Sequence, residues 1–370
     1  MVTKMVSAPL NWHYPRTDLA DQILDRLEVG ATTALTLFAP RRMGKTEFVV
    51  HDLLPMAAQR GYIGVYVNFW DRKEDPAESL IQGLNRAAAN LKLTTRLKQT
   101  MGKIRGFGFN TPVGGASASL KDTSEPDKLN IIQELFDLLQ QDSRKTLLAL
   151  DEVQHLATES RFEPIVYALR GMIDLNRERV SVLYTGSSRS GLQRLFRRRN
   201  APLFSSSQQI DLPDLGLGYL QHTAQVFHAA TGRTLDIDDC STAFKIVKRV
   251  PYDYRQINDK LILHGGTDIV SIATRYLEEN SQEDTYQADW ASLKPVDRAV
   301  LKLIITGNAG MYTTEARAFI AEQLGLEDVD VPTIQNAVNR LRRASHIAPI
   351  GQGRYELEDP YFADWIITSE

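Results

Sequence analysis

The sequence predicts an α/β chain that begins with a parallel sheet covered by helices on both faces. Short runs of β-branched and aliphatic residues alternate with amphipathic helical patterns up to about residue 212. Beyond that point helical patterns follow one another, and the last segment combines three helices with two short strands around Gly351-Gln352-Gly353. We therefore expect three domains, at residues 1–212, 213–288 and 289–370.

The same patterns assign the elements in order. Helices are expected at 17–28, from Lys45 to about Arg60, from Pro76 to about Leu97, and within SEPDKLNIIQELFDLLQQ and FEPIVYALRGMIDL. Buried strands are expected at 33–38, 146–152 and 180–188, and further strands within GYIGVYVNFW and at 208–212. The glycine-rich stretch 103–122 predicts a β-hairpin or long loop inserted between helices. The three helices and hairpin of the last domain predict a winged helix.

Composition and charge limit the class of protein. The 370 residues carry a net charge of −3 and a single cysteine, Cys240, which excludes an internal disulfide framework and fits a reducing cytosol. The chain shows no apolar run typical of a signal peptide or transmembrane helix, so we expect a cytoplasmic protein without membrane contacts. The window from Arg86 to Lys121 holds seven basic residues and no acid, which is typical of a solvated face or of polyanion contact.

The stretch FAPRRMGKTEF joins a buried strand to an amphipathic helix. It contains Gly44-Lys45-Thr46, the end of the phosphate-binding motif G-x-x-x-x-G-K-[ST]. Ala39 replaces the first glycine of the motif, which is the smallest departure at a tight turn. In such a loop backbone N–H groups bind the β-phosphate, the lysine reaches the β- and γ-phosphates, and the threonine hydroxyl binds Mg²⁺. The sequence therefore predicts a site for ATP and Mg²⁺.

Two carboxylates end the buried strand LLALDE, far downstream of the loop. We expect Asp151 to hold Mg²⁺ and Glu152 to orient or deprotonate the attacking water. An acidic helix cap is the alternative, but the phosphate-binding loop upstream favours the catalytic pair. On the strand VLYTGSS, a hydroxyl of Ser187 or Ser188 would sense the γ-phosphate, and a plain Gly-Ser turn is the alternative there.

These motifs together resemble one family, the STAND-clade and archaeal-type P-loop ATPases related to the AAA+ initiators. The resemblance lies in PRRMGKT, LDEVQ, TGSS, PLF and the closing pattern Y-x-L-x-DP-x-F-x-x-W, and it spans nearly the whole chain in order. It implies an ASCE/AAA+-like P-loop core, a helical lid and a winged helix, with ATP and Mg²⁺ as cofactors. Two places depart from the family: Lys248-Arg249 stands where Gly-Gly is usual in the lid, and no arginine follows PLF.

Motifs and resemblance together give one set of expected site residues. The nucleotide-binding residues are expected to be Pro40, Arg41, Arg42, Met43, Gly44, Lys45, Thr46, Glu47 and, in the lid, Pro251. The metal ligands are expected to be Thr46 and Asp151. The catalytic residues are expected to be Lys45, Glu152, Ser187 and Arg197, the last of them from the basic run 189–199 that would reach a neighbouring subunit.

Two functions from different classes fit this site. A nucleotide-dependent switch would bind ATP between core and lid and would control self-assembly or a protein partner. A DNA-associated ATPase would use the winged helix and the basic segment 86–121, although residues 291–370 carry eight basic and eleven acidic residues. A non-hydrolysing scaffold is a third alternative, against which the intact Lys45, Thr46, Asp151 and Glu152 argue.

Overall fold

A computed structural model describes residues 11–30, 32–89, 91, 125–196, 203, 207–280, 283–307, 310–351 and 353–369. Three expectations fall outside these residues: the hairpin at 103–122, most of the basic segment 86–121, and Arg197.

Within the described residues, five parallel strands form one sheet. They are β1 Ala34–Phe38, β2 Ile63–Asn68, β3 Thr146–Asp151, β4 Val180–Gly186 and β5 Gln208–Asp211, in the spatial order β2-β3-β4-β1-β5. Strands β1, β3 and β4 are buried along their whole length, as their continuous apolar sequences predict. Strand β4 separates the strand that leads into the glycine-lysine-threonine loop from the strand that ends in the two acids. The predicted parallel α/β core is confirmed.

Helices cover both faces of the sheet. The first unit contains α1 Thr17–Glu28, α2 Lys45–Phe48, α3 Leu54–Gln59, α4 Pro76–Ala89, α5 Glu125–Gln140, α6 Glu163–Leu175 and α7 Arg189–Phe196. One apolar cluster joins α4, α5 and α6 to the sheet, and a second joins α1, α2 and α3 to its other face. Helix α4 lies so close to β2 that a Cβ at Gly83 would stand 2.5 Å from Val67 and 2.7 Å from the Tyr66 carbonyl oxygen. Glycine is therefore required at that crossing.

The helix after the loop differs from the expected single helix. A π-helical turn at Val49–Leu53 separates α2 from α3. Such turns widen the helix by one residue and are frequent at functional sites. Here the turn carries Asp52, whose side chain is only 3% exposed and points to residues 13–16 of the N-terminal segment.

Residues 213–280, all of them described, form a helical unit. Its helices are α8 Leu217–Thr231, α9 Ile237–Ile246, α10 Pro251–His264 and α11 Ile269–Glu279. Asp236 and Asp268 cap α9 and α11 by accepting backbone N–H bonds at their N-termini. Phe227, Phe244 and Tyr254 are fully or nearly fully buried at the centre of the unit. The predicted helical pattern of this segment is confirmed.

The last unit contains helices, an antiparallel hairpin and a closing helix. Among its described residues the elements are α12 Glu283–Ser292, α13 Pro295–Ile305, α14 Thr314–Leu324, α15 Val331–Arg343, β6 Ile347–Gly351, β7 Arg354–Leu357 and α16 Pro360–Ser369. Helices α13 to α15 and the hairpin follow the order expected of a winged helix. Helix α12 begins before the boundary expected at residue 289, yet its Tyr286 and Trp290 both lie in the apolar core of this unit. The sequence patterns did not predict α16, whose Phe362 and Trp365 rings stack in that core.

Candidate functional site

The loop between β1 and α2 has two residues in the left-handed backbone conformation and leads directly into a helix. Arg42 and Gly44 have φ angles of 65° and 84°, in the left-handed region that glycine adopts freely and arginine only under strain. Gly44 is the N-cap of the helical segment that runs from Lys45 to Gln59. The first backbone N–H groups of a helix have no partner within it, and its dipole favours an anion at that end.

Lys45 is a buried cation within this loop. Its Nζ donates to the carbonyl oxygens of Ala39 at 2.8 Å and Pro40 at 2.9 Å, and the residue is 5% exposed. Burial lowers the pKa of Lys45, while the nearby carboxylates of Glu152 and Asp151 raise it in part. The ammonium therefore lies between the loop and the two acids that the motifs single out.

Asp151 is fully buried and is surrounded by hydroxyl donors. Thr46 Oγ1 and Tyr66 Oη donate to its Oδ2 at 2.6 and 3.0 Å, and Thr185 Oγ1 donates to its Oδ1. Burial and the adjacent Asp151 carboxylate raise the pKa of Tyr66. The hydroxyl and carboxylate expected to hold Mg²⁺ are thus in direct contact, and a hard cation prefers such oxygen ligands. Sequence reasoning missed Tyr66, which nothing local distinguishes from other polar strand residues, and it gave no role to Thr185, although the TGSS motif contains that residue.

Glu152 and Ser187 also belong to one hydrogen-bond network. Glu152 has a φ of 54°, a left-handed conformation that is strained for a non-glycine residue. Its Oε2 accepts from Ser187 Oγ at 2.7 Å and from Gln154 Nε2. The Gln154 side chain packs against two glycines, Gly186 and Gly191. A Cβ atom added at Gly186 would lie 2.6 Å from Gln154 Oε1, and one added at Gly191 would lie 2.7 Å from Gln154 Cβ, so larger residues at these positions would clash with it. The ends of β3 and β4 are therefore linked through side chains.

A cavity of about 690 Å³ opens from the loop toward the N-terminal segment and the helical unit. At one end it is lined by Arg41, Arg42, Met43, Gly44, Lys45, Thr46, Glu47 and Glu152. At the other end the lining is mostly aromatic and includes Trp12, Tyr14, Tyr219, Pro251, Tyr252 and Arg255. Asp151 and Ser187 are not among the lining residues. They accept from Thr46 and donate to Glu152, respectively, and these two residues do line the cavity. The N-terminal part of the lining was missed from the sequence, where Trp-His-Tyr-Pro before the first helix was the available signal.

The backbone just before Pro251, in the helical unit where the sequence predicts a lid, takes a conformation that its residue types disfavour. Lys248 and Arg249 have φ angles of 53° and 57°, so both take the left-handed conformation that favours glycine. An ion pair from Lys248 to Asp364 of α16 and a backbone bond from Arg249 N to Phe244 O at 2.8 Å hold them there. The departure from Gly-Gly is thus accommodated at the cost of local strain.

Arg189, the first residue of the basic run 189–199, makes intramolecular contacts. Its guanidinium lies 3.9 Å above the Phe38 ring and pairs with Asp211 at 3.3 Å and Glu356 at 3.0 Å. Arg197, the arginine expected to be catalytic, lies outside the described residues. Within the described part of the chain, every helix is too short or too polar to cross a membrane.

The parallel α/β core, with this loop after β1 and the acids at the end of β3, is a fold that the chain shares with solved structures of other proteins. A Walker-type ATPase of Pyrococcus abyssi shares this fold with a TM-score of 0.59 and 15% identity, over 95% of each chain. The Aeropyrum pernix ORC2 protein in its ADPNP–ADP complexes gives a TM-score of 0.51 at 15% identity, over 95% of this chain and 92% of that chain. Its ADP form gives 0.55 at 14% identity. No protein-family model and no curated protein sequence matches the chain.

Proposed function

We propose that the protein binds and hydrolyses Mg-ATP and that the nucleotide state sets the contact between its lid and its C-terminal unit. The observation that carries this proposal is the buried carboxylate of Asp253, where the phosphate-binding loop, the lid and helix α16 meet. The ADPNP and ADP complexes of the ORC2 protein, which has the same fold, support a nucleotide as the ligand of the cavity.

The chemistry follows from the residues at the phosphate end. Bound ATP and Mg²⁺ would supply the phosphoanhydride bond to be cleaved and a Lewis acid beside it. Lys45 would exchange its two carbonyl acceptors for phosphate oxygens, and Thr46 and Asp151 would hold the metal. Ser187 has one hydroxyl proton, so it serves Glu152 or a phosphate oxygen but not both. Once Ser187 turns to the γ-phosphate, the Glu152 carboxylate keeps the Gln154 donor but loses the Ser187 donor, so it would be able to orient or deprotonate water.

Asp253 joins three elements that are distant in the chain. The residue is 2% exposed; its Oδ1 accepts from Tyr276 Oη of α11 at 2.9 Å and lies 3.5 Å from Arg42 Nη1 of the loop. Its Oδ2 accepts from Tyr361 Oη of α16 at 2.8 Å. A buried carboxylate is costly without such partners, so movement of one element alters the others. Phosphates bound beside Arg42 would therefore change the contact at Tyr361.

A second contact ties the C-terminal unit to the core. Ser188 Oγ donates to Glu358 Oε1 at 3.2 Å, and Arg189 pairs with Glu356 of the hairpin. Ser188 is the next residue after Ser187, so the expected γ-phosphate sensor adjoins this contact. Release of the C-terminal unit would expose a surface for a protein partner or a second copy, whose Arg197 region would complete the site.

Two variants test the enzymatic part. Glu152→Gln should keep ATP affinity and lower turnover by about a hundredfold or more, because general-base catalysis is worth roughly that factor. Lys45→Ala should lose ATP binding as well, and the surface variant Asp174→Asn should match the wild type, since the Asp174 side chain is exposed and forms a surface ion pair with Arg170. Absence of ATP turnover in the wild type, or wild-type turnover in Glu152→Gln, would end this part of the proposal.

The switch is tested by comparing the overall dimensions of the protein in its two nucleotide states. Small-angle scattering of Glu152→Gln with ATP and of the wild type with ADP should give different radii of gyration, with particle mass measured in parallel. Identical scattering and identical mass in both states would remove the switch and leave a simple ATPase.

A second candidate, a DNA-associated ATPase, is favoured by the exposed face of α15. That face carries the residues Thr333, Gln335, Asn336, Asn339 and Arg343. Amides and guanidinium groups of this kind read base edges when such a helix enters the major groove. Arg340 of the same helix is instead engaged by Asp297, at 2.6 Å. Anisotropy of labelled duplex DNA at low salt should rise with wild type and less with Asn339→Ala/Arg343→Ala, and a flat titration would exclude this candidate.

A further inference from the structure

We propose that Asp52 is a positioning residue that holds residues 12–16 as the wall of the base end of the nucleotide cavity. This inference rests on the proposed function, since it takes ATP as the ligand of that cavity. Asp52 lies outside the phosphate-binding motif, and we expect it to support binding of the nucleotide base but not of the phosphates.

Asp52 makes its two contacts from the π-helical turn. Its Oδ1 lies 2.7 Å from His13 Nε2, and its Oδ2 accepts the backbone N–H of Arg16 at 3.1 Å. One carboxylate thus fixes both a ring and a backbone group, three residues apart. Because the carboxylate is 3% exposed, these hydrogen bonds are poorly replaced by water.

Trp12, next to the first anchor, and Tyr14, between the two, contact the lid. The Arg255 guanidinium of α10 lies 3.7 Å above the Trp12 ring, and Tyr14 packs edge-on against Tyr219 of α8 with ring centroids 6.0 Å apart. Both aromatic side chains line the cavity. The segment therefore bridges the helix after the phosphate-binding loop to the lid, with its aromatic side chains facing the space where a base would lie.

Arg16 extends the same arrangement to the loop. Its Nη1 donates to Pro213 O at 2.8 Å and its Nη2 to Met43 O at 3.3 Å. Burial lowers the pKa of Arg16, and the nearby Asp52 carboxylate acts in the opposite direction. Asp52 and Arg16 together place the wall relative to the loop, and Arg16 meets the loop at the Met43 carbonyl oxygen, which as an acceptor would not bind phosphate.

This separation predicts an effect that depends on the base. Loss of the Asp52 carboxylate frees the segment 12–16, while Lys45, Thr46 and the loop backbone stay in place. Asp52→Ala should weaken Mg-ATP binding about tenfold, which is the loss of one hydrogen bond to a charged group. Binding of Mg-tripolyphosphate, which has no base, should stay within about twofold of the wild type.

The experiment measures both dissociation constants by calorimetry for the full chain. Asp52→Asn should recover part of the ATP affinity, because its amide oxygen still accepts the Arg16 N–H. His13→Ala keeps the Arg16 contact and should show a smaller loss of the same kind, which provides a test if Asp52→Ala does not fold. Asp174→Asn is the matched surface control.

Two results would overturn the inference while leaving the proposed function intact. One is wild-type ATP affinity in both Asp52→Ala and His13→Ala; the other is an equal loss for ATP and tripolyphosphate, which would indicate general disruption. If the wild type binds neither ligand, the proposed function fails first and the inference falls with it.

Discussion

Removing the Tyr361 hydroxyl tests the coupling between nucleotide and C-terminal unit. In Tyr361→Phe the ring remains in place, but Asp253 loses the donor at 2.8 Å and the Val247 carbonyl oxygen loses a neighbour at 3.1 Å. Burial and the Asp253 carboxylate raise the pKa of Tyr361, so its hydroxyl is protonated and donates at neutral pH. The substitution therefore weakens the hold of α16 on the lid without altering the cavity lining.

The size of the effect follows from the partners that remain. Hydrogen bonds to charged groups contribute about 1.5–3 kcal/mol. Asp253 keeps Tyr276 and Arg42, so the loss should fall at the lower end, about 1.5 kcal/mol. In the proposed switch the lid opens only when α16 is released, so the substitution should lower the activation free energy of lid opening by the same amount. Nucleotide release should then accelerate about tenfold, since 1.4 kcal/mol corresponds to a factor of ten.

Stopped-flow release of a fluorescent ADP analogue measures this rate directly. Lys248→Ala is the comparison on the same interface: the Lys248 and Asp364 side chains are 33% and 47% exposed, and an exposed ion pair contributes up to about 1 kcal/mol. It should accelerate release by less than Tyr361→Phe. A wild-type release rate in Tyr361→Phe, with normal thermal stability, would show that α16 does not restrain the lid and would refute the role assigned to Asp253.

Two further predictions concern stability and are checked by urea unfolding followed by circular dichroism. Gly83→Ala should destabilise the core by about 1–3 kcal/mol, because the new methyl group would meet β2 at 2.5 Å, whereas Gly171→Ala, with no atom within 4 Å of its Cβ, should be stabilising by roughly 0.5–1 kcal/mol. Equal effects of the two would contradict the close helix–strand crossing. Arg340→Ala should destabilise the C-terminal unit by about 3 kcal/mol, because it leaves Asp297, 4% exposed, without its charge partner. Arg343→Ala, on the exposed face of the same helix, should change stability by less than about 0.5 kcal/mol, and a similar loss in both would rule out the buried pair as the cause.

Much of the fold could be predicted from the sequence because its signals are local. A parallel strand buried on both faces needs a continuous apolar run, and each such run marked a strand to within a residue or two. The loop residues Gly44 to Thr46 and the acids at the end of β3 were recognisable because their chemistry requires those residue types at strand ends. The π-helical turn and helix α16 were not predicted, since neither carries a periodic pattern that separates it from an ordinary helix or a polar tail.

The sequence by itself thus determined the alternation of elements, the phosphate-binding loop and the acidic pair. Only the tertiary structure decided which side chains meet: Tyr66 and Thr185 on Asp151, Tyr361 on Asp253, and His13 on Asp52. These pairs lie 34 to 108 residues apart. The physical reason is that a local pattern reports which face of an element is buried. Contacts between distant residues depend instead on strand order and on how the units pack, which no local pattern records.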